Sequence, residues 1–170
     1  MIIDFFLKRI EARKMSDSKQ MLFARNLICV CIDDDKDADY QGLIYHQYAD
    51  EPISFNGIAS MILEMENLFD EWDFPQRGLA ERKFDKKKEN HKRPVSETED
   101  DRLKIEIISD THGVRNVQNK KGKLGTFVIQ VVYRQDASWQ GHVIYQEDNE
   151  KLEFNSALEL IKIIDRAVTK

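Results

Sequence analysis

Only two cysteines occur in the 170 residues, Cys29 and Cys31. Separated by one residue on an expected strand, they project from the same face. A structural disulfide between such neighbours is not expected, and two thiols without a nearby Cys/His pair make no zinc site. Reduced, partly buried thiols fit a cytoplasmic protein. No apolar run approaches the roughly 20 residues that cross a bilayer, so no membrane span is expected. The sequence also has no excess of positive charge. Its net charge of -5 gives no global basic field to attract nucleic acid or acidic membrane. Residues 1–10 lack the basic start and cleavage site of a signal peptide. Instead Ile3, Phe6, Leu7 and Ile10 fall on one stripe of an amphipathic helix, so residues 1–20 read as a helical extension packed on the rest. Met15 and Met21 are alternative starts, because the patterned region begins only after them.

What the sequence does contain is a copy of itself. Displaced by 99 positions, Asp37-Ala38-Asp39-Tyr40-Gln41-Gly42 falls on Asp136-Ala137-Ser138-Trp139-Gln140-Gly141. The match continues without a gap, with 9 identities in the 26 pairs from residue 37 to 62, well above the handful that unrelated pairing gives. Hydrophobic periodicity repeats with it. Ile58, Met61, Ile62, Met65 and Phe69 have helical spacing, and their partners Ala157, Leu160, Ile161, Ile164 and Val168 are all apolar. Ile28, Val30 and Ile32 alternate like a strand, as do Phe127, Ile129 and Val131. Two shorter strands, 43–48 and 53–55 or 142–147 and 152–154, complete each copy before its helix. Ser156-Ala157-Leu158-Glu159 reads as a capping box, and Ser54 or Asn56 is the expected cap in the first copy. Pro75 ends the first helix pattern after Trp72.

Each β-β-β-α unit spans about 45 residues, too few to be comfortably stable alone. The expected fold is therefore α+β. Tandem duplicated units, at 21–75 and 124–170, form antiparallel sheet packed by two helices with pseudo-twofold symmetry. Two separate beads are the alternative. Between the copies, residues 76–123 form a charged connector. Its segment from Arg77 to Arg102 holds 9 basic and 7 acidic residues and reads as a solvated linker. Arg82-Lys83 and Lys86-Lys87-Lys88, with Lys120-Lys121-Gly122-Lys123 further on, are the candidate nucleic-acid contacts. Residues 103–108 alternate and read as one extra strand.

The string from Lys104 to Gly113 resembles the opening motif of calcineurin-like metallophosphoesterases, in which a strand delivers an Asp and a His to two metals. Here those would be Asp110 and His112. That family needs further histidines downstream, and His142 is the only one left, so no metal site is expected. Asp136, Ser138 and Gly141 fit the Asp-x-Ser-x-x-Gly element of PilZ domains, which implies cyclic di-GMP as ligand. The upstream Arg-x-x-x-Arg partner is missing, since Arg115 is followed four residues later by Asn119.

The same turn has a structural reading: Gly42 and Gly141 allow close backbone approach, and Asp37 and Asp136 cap turn amides. Tyr40, Gln41, Trp139 and Gln140 also suit a recognition surface, because aromatics with a polar end are favoured at interfaces. The histidines at 46, 91, 112 and 142 have no metal-ligand spacing, and His46 and His142 are expected to face solvent on strands. No catalytic set and no cofactor site is recognisable.

The stretch Tyr133-Arg134-Gln135-Asp136-Ala137-Ser138-Trp139-Gln140-Gly141, with Phe154-Asn155-Ser156-Ala157-Leu158-Glu159-Leu160-Ile161, resembles a group of small uncharacterised bacterial proteins. They carry a Tyr-Arg-Gln-Asn-Ala-Ser-Trp-Gln-Gly-like turn and a Phe-Arg-Ser-Ala-Leu-Glu-Leu-like helix start. The resemblance implies a bacterial cytoplasmic protein and brings no activity with it. The expected function is a non-enzymatic binding or regulatory role through a protein partner or self-association. A cyclic di-nucleotide sensor and a nucleic-acid-binding regulator are the alternatives.

Overall fold

A computed structural model describes residues 18–78, 102–135 and 138–170. Three strands and a helix come first: β1 (Ile28–Asp34), β2 (Gln41–His46), β3 (Ile53–Asn56) and α1 (Ile58–Trp72). After α2 (Lys104–His112) follow β4 (Gly125–Tyr133), β5 (Gln140–Tyr145), β6 (Glu150–Phe154) and α3 (Ala157–Val168). The strands form one antiparallel sheet in the order β3-β2-β1-β4-β5-β6. The fold is thus α+β, with one continuous sheet rather than two beads.

Alternation decides which side chains each face of the sheet receives. Ile28, Val30, Ile32, Phe127, Ile129 and Val131 point to the helical side, where Met61, Met65 and Phe69 of α1 and Leu160 and Ile164 of α3 cover them. Cys29, Cys31, Val128 and Ile144 point to the other side, under Leu22, Leu27 and Val117. Both thiols are free and buried, with their sulfurs 3.9 Å apart. The hydrogen bond to Cys31, and burial after it, push the Cys29 thiol up, while the Cys29 hydrogen bond lowers Cys31.

The strand register carries the 99-residue offset. Ile28 faces His46 as Phe127 faces Tyr145, and Ile32 faces Gly42 as Val131 faces Gly141. Each pairing then shifts at the same place, between Ile32 and Asp34 and between Val131 and Tyr133. At the centre Cys29 faces Val128, its own counterpart, flanked by Ile28–Ile129 and Val30–Phe127.

Three expectations need correction. Residues 103–108 are not a strand: they lie in or beside α2, which buries Ile105 and packs Ile108 against the helical-side core. Ile105 and Ile108 are also three apart, a helical spacing, and burial against α1 satisfied that period rather than the alternating one. The cap of α1 is neither Ser54 nor Asn56. Asp39, from the β1–β2 turn, accepts from Ile58 N at 2.9 Å through Oδ1. His46 does not face solvent freely: it is half-buried, 5.4 Å from the Trp72 ring. The expected extension at 1–20 lies outside the described residues up to position 17, as does the connector from 79 to 101, with Arg82-Lys83 and Lys86-Lys88.

Candidate functional site

The β1–β2 and β4–β5 turns carry the matched hexapeptides, and each is anchored twice. The bulge that ends the β1–β2 pairing throws the chain into a short 3-10 turn at Lys36–Ala38, with Asp37 and Ala38 both at positive φ. Asp39 then spans two amides, Tyr40 N at 2.8 Å and Ile58 N. The expected capping residue Asp37 is exposed, and the role belongs to Asp39 because Asp39 faces the helix start. In the other turn the counterpart of Asp39 is Ser138, whose hydroxyl donates to Asn155 O at 3.1 Å. The capping box at α3 forms as expected, with Ser156 Oγ accepting from Glu159 N at 3.0 Å. The glutamate, however, reaches back to Asn155 N at 2.7 Å.

The next residue in each turn is the aromatic, and it crosses to the other half. Tyr40 donates its hydroxyl to Asp165 Oδ1 on α3 at 2.7 Å. Trp139 donates its indole N–H to Glu66 Oε2 on α1 at 2.8 Å. Glu66 and Asp165 are themselves 99 residues apart. Both aromatics are buried, at 8% and 7% exposure, so Tyr40 and Trp139 do not form the exposed recognition surface expected of them. A place in a turn favours exposure, and the opposite helix covers it in the fold. Burial, reinforced by the Asp165 carboxylate, pushes the Tyr40 phenol up to about 12. Gln41 is half-buried, and Gln140 is exposed beside Gly141.

Around these aromatics the two halves diverge. Beside Trp139 the space holds Arg134, whose side chain is 2% exposed. Its Nη1 lies 2.9 Å from Glu66 Oε1 and from Asp70 Oδ1, and its Nε donates to Pro75 O at 2.8 Å. The guanidinium carbon sits 5.4 Å from the centre of the Phe69 ring. Arg134 drew no attention in the sequence, since a lone arginine carries no pattern. The aligned acids Glu66 and Asp165 were the available signal.

Beside Tyr40 the corresponding space is open. A groove of about 420 Å³ runs between the β1–β2 turn and α3, walled by Tyr40, Ile58 and Ile161. The position equivalent to Arg134 is Asp35. Asp35, Asp39 and Asp165 present carboxylates to the groove, against the single ammonium of Lys162. This is the candidate site.

The other sequence candidates do not assemble there. Asp136 lies outside the described residues. Ser138 is committed to Asn155, and Gly141 is in β5, facing Val131 and Phe154. Asp110 and His112 are exposed on α2 rather than at a strand end, with Asp110 paired to Arg102 at 3.1 Å. His142 lies across from Glu153, 3.9 Å away. Lys120 sits 4.8 Å above the Tyr45 ring. Among the described residues no three His, Cys, Asp or Glu side chains gather as a metal ion would require, and no helix is long and apolar enough to cross a membrane. No family model, curated protein or solved structure matches the chain.

Proposed function

We propose that this is a non-enzymatic binding protein of the bacterial cytoplasm that works through contacts with another protein. Its framework is read as a duplicated β-β-β-α unit whose halves are related by a pseudo-twofold axis through the Cys29–Val128 pair. The matched registers, the matched bulges and the crossed Tyr40–Asp165 and Trp139–Glu66 bonds support that descent. The buried free thiols fit a reducing compartment, and the Tyr-Arg-Gln-Asp-Ala-Ser-Trp-Gln-Gly turn supports kinship with the bacterial group it resembles.

The observation that carries the binding role is the inequality of the halves. The space filled by Arg134 on one side is left as an open groove on the other. A duplicated fold needs its core in both halves, but only one half needs a docking place. Once both are folded, one copy can lose its internal plug without losing the sheet.

A photocrosslinking amino acid tests this. Placed at Lys162, on the groove, it should capture a partner protein in host cells. Placed at Leu63, the counterpart on the filled side, it should not. Equal capture at both positions, or none at either, defeats the reading.

A further inference from the structure

We propose that the groove beside Tyr40 receives an arginine side chain from an extended segment of a partner protein. The inference rests on the binding reading above and specifies its chemistry.

The filled half supplies a physical template. There a guanidinium lies against the Phe69 ring with its Nη1 between two carboxylates on α1, one of which also accepts the N–H of the turn aromatic. The open half keeps only part of this arrangement: Phe69 and Asp70 have Val168 and Thr169 as counterparts, so the ring there is Tyr40 and the further carboxylates are Asp35 and Asp39. Asp165 takes the place of Glu66, Tyr40 that of Trp139, and the apolar walls remain. The plug differs as well. Asp35 at the arginine position removes the internal cation and adds a carboxylate. Three acids then face one lysine in a recess with apolar sides, an arrangement that favours an incoming cation with a planar, weakly hydrated head over a compact ammonium. The hydrogen bond from Tyr40 holds the Asp165 carboxylate in place, so the acceptor is pre-oriented before anything docks.

The filled side also shows where a second segment can lie. Arg134 follows β4 at the end of the strand, and residue 77 pairs with it as an isolated parallel bridge. A partner segment would lie beside Asp35 as residue 77 lies beside Arg134, in extended form, with its arginine turned toward α3.

The test uses the full chain and a synthetic pentapeptide, Val-Val-Tyr-Arg-Gln, which repeats residues 131–135. Backbone amide shifts are followed by NMR. The proposal expects saturable shifts centred on Asp39, Tyr40, Ile58 and Asp165. Replacing the peptide's arginine with neutral citrulline should weaken binding about tenfold or more, and so should Asp165→Asn. Asp35→Arg should fill the groove from within, raise the unfolding midpoint and abolish the shifts. Shifts of equal affinity for the citrulline peptide, shifts centred away from the groove, or no shifts at millimolar peptide each overturn it. So does a lowered midpoint for Asp35→Arg. If the peptide fails while the crosslinker at position 162 still captures a partner, the arginine assignment falls and the binding reading stands. Failure of both removes both.

Discussion

Gly42 and Gly141 show how little freedom the repeated turn leaves. A Cβ on either would lie 1.9 Å from a backbone oxygen of the neighbouring strand, Cys31 O or Gln130 O, with Phe55 or Phe154 close on the other side. Backbone cannot retreat as a side-chain tip can. Gly141→Ala should therefore cost about 2 kcal/mol or more, as overpacked interiors do, and Gly42→Ala should cost a similar amount. Urea unfolding measures both, and a loss below about 0.5 kcal/mol would contradict the tight strand contact. At the same scale, His46 is held below its ordinary pKa chiefly by burial, with Glu71 opposing the shift and Arg115 adding to it. Its Nδ1 also accepts from Tyr48 N at 3.2 Å. The folded state binds that proton less tightly than the unfolded chain does. The contribution of neutral His46 is thus fully present above the unfolded pKa, near about 6.5, and declines as pH falls below it. Unfolding midpoints at pH 7.5 and 5.5 should fall further apart in the native chain than in His46→Tyr, which carries the residue found at the equivalent position 145. An unchanged gap would show that other groups govern the acid response.

At the scale of elements, each helix is tied to the turn that precedes its hairpin. Asp39 reaches 19 residues along the chain to Ile58 N, whereas α3 is capped locally by Ser156. Asp39→Ala should destabilise by about 1 kcal/mol, the ordinary worth of a helix cap, and Asp39→Ser, the residue found at position 138 of the other turn, should cost less. An alanine variant as stable as the native chain would mean that solvent replaces the cap. The crossed aromatics join elements of opposite halves. Tyr40→Phe keeps the buried ring and deletes one hydrogen bond, so a loss of about 1 kcal/mol is expected. Arg134→Met is the more severe change at the matching site. It leaves Glu66 and Asp70 without their buried cation, and the loss should reach about 3 kcal/mol, reduced by the partial exposure of both acids. Denaturation curves distinguish these cases directly.

Across the whole molecule the decisive contact is β1 against β4, since it places each half's first strand in the middle of one sheet. Cut apart, either half would expose that strand's hydrogen-bonding edge and the apolar stripe beneath it. The described residues should therefore unfold as one unit. Trp72 and Trp139 are both buried and come from different halves, and both rings pack against Phe69 of α1, so each reports on the seam between the halves. Trp72→Phe and Trp139→Phe will each shift stability, but within either variant the remaining tryptophan's fluorescence and the far-ultraviolet circular dichroism should give coincident transitions. Separated transitions would mean that the halves fold independently.

Much of this was legible in the chain itself. Alternation at 28–32 and 127–131 and helical spacing at 58–69 and 157–168 specified elements, because burial on one face demands a period and the period is written in residue order. The 99-residue offset likewise anticipated the paired registers, as identical turns impose identical alignment on the strands they join. Residues 103–108 were misread because Leu103, Ile105 and Ile107 satisfy one period while Ile105 and Ile108 satisfy another, and only contact with α1 chooses between them. What covers a side chain was beyond the sequence for the same reason. Tyr40 and Trp139 lie at turns where exposure is ordinary, and they are buried by a helix more than 20 residues away in each case. The sequence by itself determined the six strands, the helices at 58–72 and 157–168, and their order. The tertiary structure alone decided that Arg134 fills one half while its counterpart stays open, because that depends on charges brought together across the sheet and not on their spacing along the chain.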